Sequence, residues 1–169
     1  LLAHGVPSPH GRVMTMASLR AGGLDELVYP VLVKPNYEGS SKGIAGDSVA
    51  NDFKELMTLL KAAVRAYPDG VLMEEYIEGV DVAVGYLNGV GLDDGLLAPV
   101  EFLLEPSGVH GFTIYDYIKK NVEPSAVRMR CPASVPRDVA ARLRAISNDA
   151  IRGLGLKDIA RFDFRAADD

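Results

Sequence analysis

Tryptophan is absent from the 169 residues and cysteine occurs once, as Cys131. A lone cysteine excludes an internal disulfide framework and any cysteine-based zinc site. With no histidine near it in sequence, Cys131 reads as a small core residue and not as a nucleophile. Positive charge is in the minority, 18 Lys and Arg against 23 Asp and Glu, for a formal net charge of −5. That excludes a nucleic-acid binder working by bulk charge, and Arg128-x-Arg130 is too short a run to make a local patch. No apolar run approaches the roughly 18 residues of a membrane-spanning helix, and no basic start leads into an apolar segment as in a secretion signal. Missing too are the common phosphate fingerprints. No GxxxxGK[ST] occurs, and Gly89, Gly91 and Gly95 have the wrong spacing for a dinucleotide-binding turn. His4, His10 and His110 sit in loop-like contexts without metal-ligand spacing.

What is present is an average globular composition, 48% apolar and 24% charged, in a chain of the size of one domain or two small ones. Such a length can bury about 70% of the unfolded chain's surface, enough for a real core. The expectation is a soluble cytoplasmic protein with no nucleic-acid and no membrane partner.

Structural types alternate along the chain. VLVKP (31–35) is a β-branched run that reads as a buried strand, and 36–46 is a Gly- and Ser-rich loop. From 51 to 67 the apolar residues Phe53, Leu56, Met57, Leu60, Ala63, Val64 and Tyr67 recur at gaps of three and four, a single stripe on a helix. Asp47, Ser48 or Asn51 can cap it, and Pro68-Asp69-Gly70 ends it. VLMEEYI (71–77) and DVAVGYL (81–87) read as strands, GLDDG (91–95) as a hairpin turn, and 96–104 and 127–131 as further strands. A second helix spans 136–154, with Val139, Leu143, Ile146, Ala150 and Leu154 on one face, Pro136 at its first turn and Gly155 past its end. Ile159 to Phe164 is a last strand, Ile159, Arg161 and Asp163 on one side and Ala160, Phe162 and Phe164 on the other. Hairpins with few helices predict an α+β fold in two layers, not a doubly wound sheet. Met14 and Met16 read as packing residues, and 108–120 shows no sustained period.

Three constellations can carry chemistry. Lys34 ends a buried strand and is followed by Glu38-Gly39-Ser40-Ser41-Lys42-Gly43; small residues and hydroxyls let a backbone approach phosphate oxygens, and a strand-held lysine supplies a point charge. The same residues also make an ordinary solvated loop. Glu74-Glu75-Tyr76-Ile77-Glu78-Gly79-Val80-Asp81 combines a strand end, whose backbone groups suit the edge of a planar base, with an acid suited to ribose hydroxyls. Acids on a strand are also often merely solvated. Arg161 and Asp163, two apart, share a face, as an ion pair or as a metal-binding acid beside a cation for a developing anion.

Taken in order, VLVKPNYEGSSKGI, VLMEEYIEGVDVAVGYL, YDYIKK with CPA beyond it, and LGLKDIARFDF resemble the ATP-grasp ligases, and within them the D-alanine–D-alanine ligase group. The resemblance implies an α+β ATP-grasp fold, two small subdomains with the nucleotide site between them. It places a central subdomain at 1–80 and part of a C-terminal one at 81–169, the chain stopping before the expected second metal-ligand strand and both ends cut from something longer. It implies ATP and Mg2+ as cofactors. Lys34 and Lys120 would contact the phosphates, Glu38, Gly39, Ser40 and Ser41 would form a lid over them, and Ser40 would lie near the substrates. Glu74 would accept from the adenine amino group, Glu75 and Ile77, with Tyr76 between them, would offer the base its backbone contacts, and Asp81 would hold the ribose. Arg161 would steady a tetrahedral intermediate and Asp163 would be a magnesium ligand.

The activity so implied is phosphorylation of a carboxylate by ATP, then displacement of phosphate by an amine to give an amide. Small amino-acid or carboxylate substrates, a role in peptidoglycan biosynthesis and a homodimeric parent go with it. Two departures bear on this. Asn121 stands where the family commonly has the tyrosine after YDYxxK, which admits other amino-acid or carboxylate substrates. The family's ExN metal pair is not reached, which leaves open a non-catalytic ATP-binding module.

Overall fold

The computed structural model describes residues 2–22, 24, 27–90 and 94–167, and it divides the chain into two units. The first comprises Pro9–Tyr76 and Leu104–Val127, the second Leu1–Ser8, Ile77–Leu103 and Arg128–Asp169. The chain passes to the second unit at Ile77, and 104–127 belongs again to the first. That segment returns to the first unit because Tyr76 and the Ser40–Ser41 loop hold it there, as described below.

In the first unit, β1 (Gly11–Met14), β2 (Val31–Pro35), β3 (Val49–Ala50) and β4 (Val71–Glu75) form an antiparallel sheet in the order β1-β4-β2-β3. The period of two decides its faces: Val31, Val33 and Pro35 are buried, Leu32 and Lys34 only partly so. On the buried side lies α2 (Phe53–Ala66), which presents Leu56, Leu60 and Val64 to Met14, Val31, Val33, Val71 and Met73. Each fully buried leucine contributes about 1.5–3 kcal/mol over leaving it in water. The helix cap is Asp52, whose carboxylate accepts from the Glu55 N–H at 2.8 Å, one residue past the caps expected from sequence. Phe53, placed by periodicity on the stripe, is 56% exposed because it sits in the first turn, beyond the sheet.

The sequence reading passed over β1, α1 (Met16–Ala21) and the two-residue β3. α1 has a legible start, since Thr15 and Ser18 form a reciprocal capping box. Met14 is buried and Met16 packs against the same core, as expected.

In the second unit, β5 (Val80–Leu87), β6 (Val100–Leu103), β7 (Arg128–Arg130) and β8 (Ile159–Ala166) form a second antiparallel sheet in the order β7-β6-β5-β8. Its core is Val82, Val84, Tyr86, Leu96 and Leu143, with Phe162 and Phe164 packed on. α3 (Arg137–Leu154) buries Leu143, Ser147 and Ala150, and ends at Gly155 in the left-handed conformation at φ 61°. Ser147 tolerates full burial because its hydroxyl donates to the Leu143 carbonyl at 2.8 Å. Leu154, expected on the buried face, is 47% exposed at the last turn. The strand expected over 96–104 shortens to β6, since Pro99 cannot donate to a ladder; Leu96 makes only an isolated bridge to Tyr86. Most of the expected GLDDG turn, Gly91, Leu92 and Asp93, lies outside the described residues. Cys131 is exposed, not a core residue: it follows the fully exposed strand β7.

Candidate functional site

Each unit brings some of the expected residues together on one sheet face. In the first unit, β2 and β4 pair Leu32 with Glu74 and Lys34 with Leu72. Lys34 and Glu74 thereby project diagonally from adjacent strands on the face away from α2. They form an ion pair, the lysine side chain 30% exposed and the glutamate 10%. Gly11 on β1 stands beside Glu74, where a Cβ would lie 2.7 Å from the glutamate Cβ. Only glycine lets β1 run so close to the acid.

Glu75 faces the other way. Its carboxylate accepts from the His10 N–H at 3.0 Å and its own N–H donates to the His10 carbonyl at 2.9 Å. The Tyr76 N–H donates to the Pro30 carbonyl at 2.9 Å. The Tyr76 hydroxyl donates to the Thr113 carbonyl at 3.1 Å and its ring lies 4.7 Å from that of Phe112. Tyr76 thus pins the 104–127 segment to the unit.

The Ser40–Ser41 loop leaves β2 through exposed Tyr37 and Glu38. Glu38 accepts from Lys42 at 3.0 Å, and that hydrogen bond holds the lysine's pKa above its ordinary value. Ser40 and Ser41 both have positive φ, 55° and 58°, a conformation uncommon outside glycine that persists where the surroundings impose it. Here the surroundings are the segment 115–121. The Ser41 hydroxyl donates to the Tyr115 carbonyl at 2.7 Å, and the Asn121 amide donates to the Ser40 carbonyl at 2.9 Å and to the Tyr117 carbonyl at 3.2 Å. The Tyr117 N–H donates to the Ile44 carbonyl at 3.0 Å. Ser41 is therefore committed to the scaffold, while Ser40 stays exposed. A Cβ at Gly39 would meet nothing within 4 Å, so no packing need explains that glycine.

Lys119 and Lys120 are adjacent but have different surroundings. Lys119 is turned inward, donating to the Ser107 hydroxyl at 2.8 Å, the Ile114 carbonyl at 3.2 Å and the buried Asp116 carboxylate at 3.1 Å. Lys120 lies 5.4 Å over the Tyr115 ring. A π-helical turn over Ile118–Val122 separates the two directions, a local geometry often found at functional sites.

In the second unit, β5 and β8 pair Asp81 with Arg165, Ala83 with Asp163 and Gly85 with Arg161. The face opposite the core therefore carries four charged side chains beside two small residues. Arg161 grips Asp163 with two hydrogen bonds, 2.7 and 3.0 Å, and both are more than half exposed. Arg165 donates to Asp81 at 2.7 Å and to the Ile77 carbonyl at 2.8 Å. Burial pushes the Asp81 carboxyl up from its ordinary value, Arg165 opposes that, and Asp163 adds to it. Among the described residues no group of three or more His, Cys, Asp or Glu is arranged to hold a metal ion. Asp163 fits magnesium as a single hard oxygen ligand, not as part of a protein cage.

Sequence reasoning missed Arg165, the contact of Asn121 with Ser40, the Lys119–Asp116–Ser107 cluster and the close approach at Gly11. Arg165 alone had a signal: extending the alternation of Arg161 and Asp163 by two residues reaches it.

Two antiparallel four-stranded sheets with these motifs in this order are the architecture of an ATP-grasp region. The chain belongs to the family described as D-ala D-ala ligase C-terminus, which matches residues 9–169. A D-alanine–D-alanine ligase of Sphingopyxis alaskensis is 34% identical over 171 residues, which take in 100% of this chain and 50% of that protein. Among solved structures, the VanG D-Ala:D-Ser ligase of Enterococcus faecalis superposes with a TM-score of 0.72 at 22% identity, over 99% of this chain and 46% of its own. The D-alanine–D-alanine ligase of Bacillus anthracis complexed with ATP gives 0.67 at 18%, over 99% and 47%. The chain spans about half the length of the curated relatives it matches. No described helix is long and apolar enough to cross a membrane.

Proposed function

We propose that this chain is the ATP-binding part of a cytoplasmic, ATP-dependent carboxylate–amine ligase joining small amino-acid or carboxylate substrates. The observation that carries the reading is the face of the first unit's sheet away from α2. There Lys34 and Glu74 stand together, and the adjoining Ser40–Ser41 loop is held in an uncommon backbone conformation by the segment that bears Lys120. Lys34 and Lys120 would bind phosphate oxygens, with the backbone of Glu38, Gly39, Ser40 and Ser41 over them and Ser40 facing the substrates. Glu74, Glu75, Tyr76 and Ile77 would serve the base, and Asp81 the ribose.

In the reaction the γ-phosphoryl group passes to a carboxylate oxygen and ADP leaves. An amine nitrogen then attacks the acyl carbon, the amine loses a proton and phosphate departs. Arg161, with its guanidinium exposed beside Asp163, would stabilise the charge on the tetrahedral oxygen. Asp163 would hold magnesium together with phosphate oxygens, and the metal, when bound, neutralises the triphosphate. Asn121, in place of tyrosine, binds the Ser40 carbonyl through its amide. That departure admits other amino-acid or carboxylate substrates as the second reading.

The test is thermal unfolding of the 169-residue chain with ATP, with and without magnesium, beside a phosphate-release assay with D-alanine and other amino acids. A ligand that binds only the native state must raise its stability. The expected result is a magnesium-dependent rise in Tm with no amino-acid-dependent phosphate release, because among the described residues no group of three or more His, Cys, Asp or Glu is arranged to hold a metal ion. No rise with ATP would refute the nucleotide site. Amino-acid-dependent release would show that the metal ligands are misassigned.

A further inference from the structure

Arg165 has no part in the resemblance, yet it occupies a commanding place on the second unit's charged face. It lies directly across the ladder from Asp81. Its Nη1 donates to Asp81 Oδ2 at 2.7 Å and its Nε to the Ile77 carbonyl at 2.8 Å. The arginine side chain is 16% exposed and the aspartate 28%. A guanidinium is planar and rigid, so one group bridging two acceptors sets their separation and orientation in a way a lysine cannot.

The two acceptors bracket the link that leads into β5. Within that link Gly79, at φ 149°, passes so near the end of β8 that a Cβ would lie 2.0 Å from the Ala166 carbonyl oxygen. The link is therefore held to β8 twice, by the missing side chain of Gly79 and by the fork of Arg165. Arg165 thereby fixes one of the two oxygens of the Asp81 carboxylate.

We propose that Arg165 is a positioning residue, holding Asp81 so that its carboxylate accepts the ribose hydroxyls of a nucleotide, without itself touching the nucleotide. This rests on the nucleotide site proposed above. A residue that acts only through the ribose contact matters only when the ribose hydroxyls are there, and that separates positioning from general support of the fold.

The experiment is calorimetric titration of the 169-residue chain with ATP and with 2′,3′-dideoxy-ATP, for the wild type, Arg165→Met, Asp81→Ala and the double variant. Arg165→Met is expected to weaken ATP about tenfold, the range of one charge-assisted hydrogen bond, and to leave dideoxy-ATP nearly unchanged. The double variant is expected to lose no more than Asp81→Ala alone, because the two act as one unit. Arg165→Lys keeps a cation on Asp81 but not the bridge to Ile77, and should show the same selective loss in smaller measure. It serves as the decisive variant where Arg165→Met does not fold. Equal weakening of both nucleotides, or ATP affinity unchanged, overturns the inference while leaving the nucleotide site standing. A wild-type chain that binds neither nucleotide overturns both.

Discussion

Lys34 is where the structural and the functional reading can be separated most cleanly. In the structure its ammonium is paired with Glu74, whose side chain is only 10% exposed. Lys34→Met removes the cation and leaves a nearly buried carboxylate without it. Breaking a fully buried pair costs about 3–5 kcal/mol. The lysine here is 30% exposed, so water screens the loss and about 1–2 kcal/mol is the reasonable expectation. For a chain of this size that is roughly 2–4 °C in Tm per kcal/mol. Glu74→Gln on its own should cost less, since an amide is less expensive to leave partly buried than a carboxylate. The double variant Lys34→Met/Glu74→Gln should regain most of the stability lost by Lys34→Met.

ATP binding should respond differently. If Lys34 meets phosphate oxygens, its loss removes a charge-assisted hydrogen bond of about 1.5–3 kcal/mol, or roughly tenfold to a hundredfold in Kd. The second substitution cannot restore that. Thermal unfolding and calorimetry with a non-hydrolysable ATP analogue, run on all four proteins, read the two quantities independently. The reasoning is refuted if the double variant recovers ATP affinity together with stability, or if Lys34→Met binds the analogue as the wild type does. Either result would make Lys34 a partner of Glu74 and nothing more.

Other substitutions test the remaining assignments. Arg161→Ala breaks a pair that is more than half exposed, so stability should change by no more than about 0.5 kcal/mol. In a full-length ligase carrying this region, it should instead depress kcat far more than ATP affinity; normal turnover at saturating substrate would return Arg161 and Asp163 to a surface ion pair. Asn121→Ala deletes the amide that holds the Ser40 carbonyl, and amide hydrogen exchange should quicken across 39–44 and leave β2 and β4 unaffected; unchanged exchange would mean that Ser41 alone holds the loop. In Asp94, burial pushes the carboxyl up, but the Leu96 N–H, the Asn148 amide and the Arg144 guanidinium outweigh it and hold the pKa below its ordinary 3.8. A depressed carboxylate lends stability that is present above the unfolded value and lost as pH falls through the folded one. Asp94→Asn should therefore be less stable than wild type at neutral pH, and the gap should close below pH 3.8; a gap that persists in acid would show that Asp94 acts by shape and not by charge.

Much of this protein is written locally. The alternation in Val31–Pro35, the three- and four-residue spacing in Phe53–Ala66 and Arg137–Leu154, and the sidedness of Ile159–Ala166 follow from the two backbone periods. Those periods need no knowledge of what lies across the core, and the order of the chemical motifs can be read along with them. Tertiary structure decided the rest, because it depends on pairs far apart in the chain. Lys34 meets Glu74 only through the β2–β4 register, and Asn121 reaches Ser40 across 81 residues. The segment 104–127 has no period of its own; it belongs to the first unit because Tyr76 and Ser41 donate to its carbonyls and its own Asn121 donates to the Ser40 carbonyl. Lys119 and Lys120 are the same residue type one position apart. Sequence alone separates them only by resemblance, while a π-helical turn and a buried aspartate draw one inward and leave the other against an aromatic ring. Side-chain type and period are properties of a segment; register, returning loops and the partner of a given charge are properties of the packed chain, and they are settled only when distant segments compete for the same neighbours.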